Sequence, residues 1–424
     1  MIWPQEQLSA VAGEVRTGPF GSQLHRSDYV EDVGATPVVM PKDISEGRID
    51  MSSIARVGQG DVDRLSGHVL READIVLARR GDIGRRAWVG EAEAGWLCGT
   101  GSMRIRLGDP ARLRPRYLYY YLGTEPAIRW LEGHAVGATM SNLSASVVEK
   151  LPVPLPPSDV QDRIVSILDS METLIQNNRR RVEILEEMAR LNYREWFVHF
   201  RFPGHEDVGL VESDLGPIPE GWHVTALAEH ASLQRRSVKP GDHPDETFNH
   251  YSIPAFDAGR LPVAELGADI KSGKYQVLGE RVLLSKLNPR FPRVWRVDAS
   301  QADRRAICST EFLVLAADQD WPASFVYAVV GDSDFGGRLA RMAGGTSTSH
   351  QRVKPGDVMA LPIGGPNVSL VTQYAELVSP MLHLADNLIR QSEALREARD
   401  LLLPRLVSGE LDVSVLDLEL AEVG

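Results

Sequence analysis

Cysteine is nearly absent: Cys98 and Cys308 are the only two in 424 residues, far apart and outside any Cys-x-x-Cys or Cys/His spacing. A disulfide framework and a zinc site are therefore not expected, and both residues read as packing groups. Long apolar runs are missing as well, none approaching the ~20 residues that span a bilayer. The opening MIWPQEQLSA carries no basic segment leading into an apolar one. These absences predict a soluble chain in the cytoplasm, with no membrane partner.

Motifs that carry chemistry are equally scarce. No G-x-x-x-x-G-K-[ST] loop occurs, so neither ATP hydrolysis nor DNA translocation is expected of this chain. There is no His-Glu-x-x-His, and no strand followed by a Gly-rich loop that would cradle a nucleoside cofactor. LNPRF at Leu287 approaches the Asn-Pro-Pro-aromatic loop of adenine methyltransferases, but Arg290 stands where the second proline belongs. Asp74 and Asp82 border a strand as turn formers do. The chain is expected to be no enzyme, with no catalytic residue, no metal and no cofactor of its own.

Net charge is -12, yet its distribution is uneven. Residues 369–424 hold 4 basic and 10 acidic side chains, half of the excess, whereas the first 150 hold 18 and 19. KLNPRFPRVWR, from Lys286 to Arg296, has four cations and no acid. Salt screens fields beyond ~8 Å, so the acidic total permits a DNA partner without suggesting one.

What the sequence does have is an internal repeat. EADIVLARRGD from Glu72 has a counterpart in GERVLLSKLNP from Gly279, and LCGTGSMRIRL around Cys98 answers to AICSTEFLVLA around Cys308. GATMSNLSASVVEKLPVP from Gly137 matches GTSTSHQRVKPGDVMALPI from Gly345, and Trp3 and Trp222 mark matching entries. A period near 210 residues is a duplicated domain. Short β-branched runs between turns, with a few helices, predict a mixed α/β fold for the globular parts, residues 1–157 and 202–367.

Each copy stops on Leu-Pro and then launches a long helix. Asp159 to about His199 contains no Pro or Gly, roughly 60 Å of helix. Ile164, Leu168, Met171, Ile175, Asn178, Val182, Leu185, Ala189, Asn192 and Trp196 step by four and three, a heptad seam. Tyr374, Val378, Met381, Ala385, Leu388, Ser392, Leu395, Arg399, Leu402 and Leu406 repeat it. Two matched seams in one chain can bury each other. The helical spans are 158–201 and 368–409, with a tail at 410–424, and Pro404 is expected to kink or end the second helix early.

Two cation clusters fall at matched places: Arg79, Arg80, Arg85 and Arg86 in one copy, Lys286, Arg290, Arg293 and Arg296 in the other. DNA contact through phosphates and guanine edges is one reading, a solvated charged face the other. The small-polar loops GATMSNLS and GGTSTSHQ offer hydrogen-bonding groups for base edges, or ordinary capped turns.

RTGPFGSQLHRSDYV, then TPVVMPKDI, LPVPLPPSDVQDRIVSILD, NRRRVEILEEMARLNYREWFVHF and RDLLLPRLVSGEL, in that order, resemble the specificity subunit of type I restriction-modification enzymes. The resemblance spans almost the whole chain. It implies two target-recognition domains joined by two long helices packed as an antiparallel coiled coil. Each domain would read one half of a bipartite site in double-stranded DNA, with the coil setting the unread gap. It also implies two methyltransferase subunits and motor-nuclease subunits as partners, which would hold S-adenosylmethionine, ATP and Mg. DNA contacts carry over by region: Gly18, Pro19, Phe20, Gly21 and Ser22; Arg79 and Arg80; Thr139, Ser141 and Asn142; Lys286, Asn288 and Arg290; and Ser347, Thr348, Ser349 and His350; Gln23, Lys42, Arg85 and Arg293 are further candidate contacts. Nothing in the second copy matches GPFGS, so the two half-sites should differ. A targeting or scaffold subunit of another phage-defence complex is the alternative from a different class.

Overall fold

The computed structural model describes residues 3–45, 47–135, 142–299, 305–344 and 351–413. The chain divides into two compact units, residues 1–174 with 395–424, and residues 175–394.

In the first unit, Ile75–Ala78 lies inside a four-stranded antiparallel sheet in the order Ala12–Thr17, Ser102–Leu107, Ile75–Ala78, Arg86–Trp88. Its residues are apolar without alternation because both faces are covered. Ile75 and Leu77 point into a core with Tyr117, Leu118 and Leu131 of two helices, Pro115–Tyr121 and Glu125–His134. Val76 points the other way, to Val39, Ala87 and Cys98. Cys98 belongs to a second sheet, ordered Leu97–Cys98, Thr36–Val39, Ala55–Val57, Tyr29–Val30, whose first pair is parallel.

The second unit repeats this plan. Its sheet order is Ala231–Gln234, Phe312–Ala317, Gly279–Ser285, Val294–Ala299. Val282 and Leu284 face one core and Leu283 faces another containing Cys308. Cys308 again lies in a parallel pair, Ala306–Cys308 with Thr247–Tyr251. The entry points match too: Leu8 N–H donates to Leu151 C=O (2.9 Å), and Leu227 N–H to Leu361 C=O (3.2 Å).

The central helix runs Ser158–Tyr193 and the C-terminal helix Val368–Ser408. Both belong partly to each unit. The seam positions Ile164, Leu168, Ile175, Val182, Tyr374, Val378 and Leu388 are buried, as are Asn178 and Ser392. Met171, Leu185, Met381, Leu395 and Leu402 are half-buried; beside two of them, Leu382 and Leu403 take the inner place. Partners ascend along one helix as they descend along the other. In the second unit Tyr374 Oη donates to Ala189 C=O (3.1 Å), and Val182 packs with Ala385 and Leu388. In the first, Arg399 pairs with Glu172 at 2.9 Å, and Arg163 donates to Val413 C=O at 3.1 Å. The pairing is antiparallel in each unit.

Two features depart from expectation. The central helix stops being α-helical at Tyr193 and widens into a π-helical turn, Arg194–Val198. That turn seats Phe197 against Trp222, Phe325 and Tyr374, with ring centroids 5.9, 4.8 and 5.2 Å away. The C-terminal helix also continues past Pro404 to Ser408, so the proline does not end it early. A proline removes one backbone donor, whereas Leu403, Leu406 and Val407 are buried in the first unit's core and hold the last turn in place. The helix ends instead at Gly409, whose φ of +75° suits a left-handed cap.

Candidate nucleic-acid interface

The end of Ile75–Ala78 gathers three predicted segments. Beyond the strand, Arg80 pairs with Asn142 as an isolated antiparallel bridge, and Leu143 N–H donates to Arg79 C=O (2.9 Å). Arg79 N–H donates to Gly101 C=O (3.0 Å), and Thr100 Oγ1 donates to Pro19 C=O (3.0 Å), tying in the GPFGS loop. Gly18 is required there, because a Cβ would lie 1.9 Å from the Gly99 carbonyl oxygen. The loop then turns outward: Phe20 is 59% exposed, and Gly21, Ser22 and Gln23 are exposed. Gln23 Oε1 accepts from Phe20 N–H (3.1 Å), which fixes the turn.

The same construction stands at the end of Gly279–Ser285. Leu287 bridges Arg352, Val353 N–H donates to Lys286 C=O (3.1 Å), and Asn288 N–H donates to Gln351 C=O (2.8 Å). Both chains turn on a left-handed residue, Gly81 at φ +78° and Asn288 at φ +50°. A tight turn follows, with Phe291 N–H donating to Asn288 C=O (2.9 Å). It leaves Phe291 68% exposed between the exposed Arg290 and Pro292. Thr139, Ser141, Ser347, Thr348, Ser349 and His350 lie outside the described residues.

The cations separate into engaged and free. Arg79 is buried and donates to Asn142 Oδ1 (3.2 Å). Burial, and then Arg80 beside it, pull the Arg79 guanidinium below its ordinary value, so an anion at this point would relieve two adjacent like charges. Arg85 pairs with Asp82 (3.1 Å) and Arg86 donates to Tyr119 C=O (2.7 Å). Lys42 sits away from these strand ends in its bonding, held by Asp43 (2.6 Å) and Ser53 C=O (2.7 Å). Arg293 grips Asp257 with two bonds, 2.7 and 2.9 Å, and Arg296 is buried. Among the described residues, no side-chain bond or ion pair engages Arg80, Lys286 or Arg290. Exposed arginines of this kind can fork onto phosphate or a guanine edge.

A model of the type I restriction modification DNA specificity domain matches residues 25–187. The chain is 25% identical to the MjaIX type I restriction enzyme specificity subunit of Methanocaldococcus jannaschii, over 98% of this chain and 94% of the relative. Along nearly its whole length this chain is similar to a type I restriction-enzyme specificity subunit. The MjaVIII specificity subunit of the same organism is 24% identical across 49% of this chain and 48% of its own length. The crystal structure of a type I restriction-modification S subunit from M. genitalium shares the fold, with a TM-score of 0.59 and 14% identity over 95% of this chain and 96% of that one.

The two bridges and the exposed Phe291 were not singled out from sequence, whereas Phe20 was named with the GPFGS loop. The bridge partners Arg80 and Asn142 are separated by 62 positions and share no pattern. Phe20 and Phe291 did carry a signal: each sits among Gly or Pro, outside any alternating apolar run. Among the described residues there is no group of three or more potential metal ligands, and no helix long and apolar enough to cross a membrane.

Proposed function

We propose that this chain is the DNA sequence-reading subunit of a type I restriction-modification complex in the cytoplasm, serving phage defence. Each globular domain reads one half of an asymmetric split site, and the helix pair sets the unread gap. The observation that carries the reading is the strand-end construction built twice in one chain, with Arg80 in one copy and Arg290 in the other exposed and unengaged among the described residues. Phosphate contacts orient such a module, and forked arginine contacts to base edges specify sequence.

The chain contributes contact and geometry. Methyl transfer, with S-adenosylmethionine, falls to two methyltransferase subunits; translocation and cleavage, with ATP and Mg, fall to motor-nuclease subunits. The helices offer a surface for such a partner. Ile184, Met188 and Leu191 recur at helical spacing on the central helix, as do Leu377 and Leu384 on the C-terminal one, and all five are exposed. Large apolar groups aligned in this way favour another helix over water. Replacing Ile184 and Leu191 with Glu should abolish co-purification of the methyltransferase.

A binding selection tests the reading. The purified complex with its methyltransferase, offered random duplexes, should enrich two conserved blocks at one fixed separation. Enrichment of a single block, or of none, would overturn it.

A further inference from the structure

Apolar packing is not directional, so a globular domain held on a helix by apolar contacts alone could seat in more than one place. In the second unit the seat is also charged. Arg296, on the strand Val294–Ala299, has a side chain only 4% exposed. It donates to Glu280 at 2.9 Å and to Asp386 of the C-terminal helix. Arg260 similarly pairs with Glu186 of the central helix. Arg296, Asp386, Arg260 and Glu186, with Trp295 and Tyr327, line a cleft whose free space of about 20 Å³ has room for about one water. Burial pushes the Asp386 carboxyl above its ordinary value, while Arg296, Arg390, His383 and Arg260 pull it down.

The residues around Asp386 make the contact selective. One turn away along the helix stand Leu382, His383, Ile389 and Arg390, none of them acidic. A slip by one turn would therefore leave Arg296 buried without its helix carboxylate, a penalty of the kind that lets a buried ion pair select one alignment. A slip of one turn is ~5.4 Å, and the DNA rise is ~3.4 Å per base pair. The two lengths correspond to a change of about one or two base pairs.

We infer that the Arg296–Asp386 pair is an alignment key, which fixes where the second globular domain seats on the C-terminal helix and thereby the length of the unread gap. The inference rests on the sequence-reading function proposed above. Both residues are positioning residues, bonded to each other rather than offered to DNA.

The test uses the full complex with its methyltransferase, mapped for methylated sites by single-molecule sequencing. Arg296→Met with Asp386→Leu removes both charges and keeps apolar volume. Asp386→Asn keeps the shape and serves if the double variant does not fold. Thermal melting of each variant separates lost stability from lost alignment. The expected result is unchanged half-site sequences with methylation spread over gaps one or two base pairs longer or shorter, at least tenfold above the wild-type background. A single wild-type gap retained by a folded, active variant overturns the inference while leaving the proposed function intact. A wild-type complex with no split motif overturns both.

Discussion

Arginine partners decide what each cation is for. Arg293 lies in the most basic stretch of the chain, yet Asp257, 36 positions upstream, takes both arms of its guanidinium. Arg80 and Arg290 point to no such partner among the described residues. Arg80→Ala and Arg290→Ala should each remove about 1–3 kcal/mol of discrimination at a base in one half-site, measured by competition binding with duplexes altered in that half. Unchanged preference would assign the arginine to a solvated face. The clusters were legible as charge runs; their division into free and engaged was not, because the engaging groups come from folding. The cysteines were legible as packing residues from their matched positions. Both are buried, and burial pushes each thiol up to about 12. Ellman's reagent should label neither in the native protein and both after unfolding.

Helices were legible because a seven-residue seam is a long, redundant signal. The strand-end bridges were not, since each is a single pairing between distant segments. Pro404 shows where local preference loses to packing. Its neighbours bury Leu403, Leu406 and Val407, and the proline itself is exposed. Pro404→Ala should therefore raise the melting temperature, restoring a backbone donor worth up to about 3 kcal/mol in a helix interior. Leu168→Ala should do the reverse, by about 2–5 kcal/mol, because Leu168 is fully buried in the first unit's core. A melting temperature unmoved by either change would contradict the packing described.

At the scale of the whole molecule, duplication is the organising fact. One sheet order, one parallel pair and one strand-end construction occur twice, each copy followed by a long helix. The period announced this in sequence, while the loops nearest the proposed contacts diverge, as two readers of different half-sites should. A heptad added to both helices, after Asn178 and before Ser392, should lengthen the pair by ~10 Å. The gap should then grow by about three base pairs or activity should be lost; an unchanged methylated site would rule out the helices as a ruler. The most direct measurement is to co-express the chain with a cognate methyltransferase and map methylated adenines across the host genome by single-molecule sequencing. A split, asymmetric motif with one fixed gap is the expected result; a continuous or palindromic motif, or no methylation from a complex shown to bind DNA, would contradict the account.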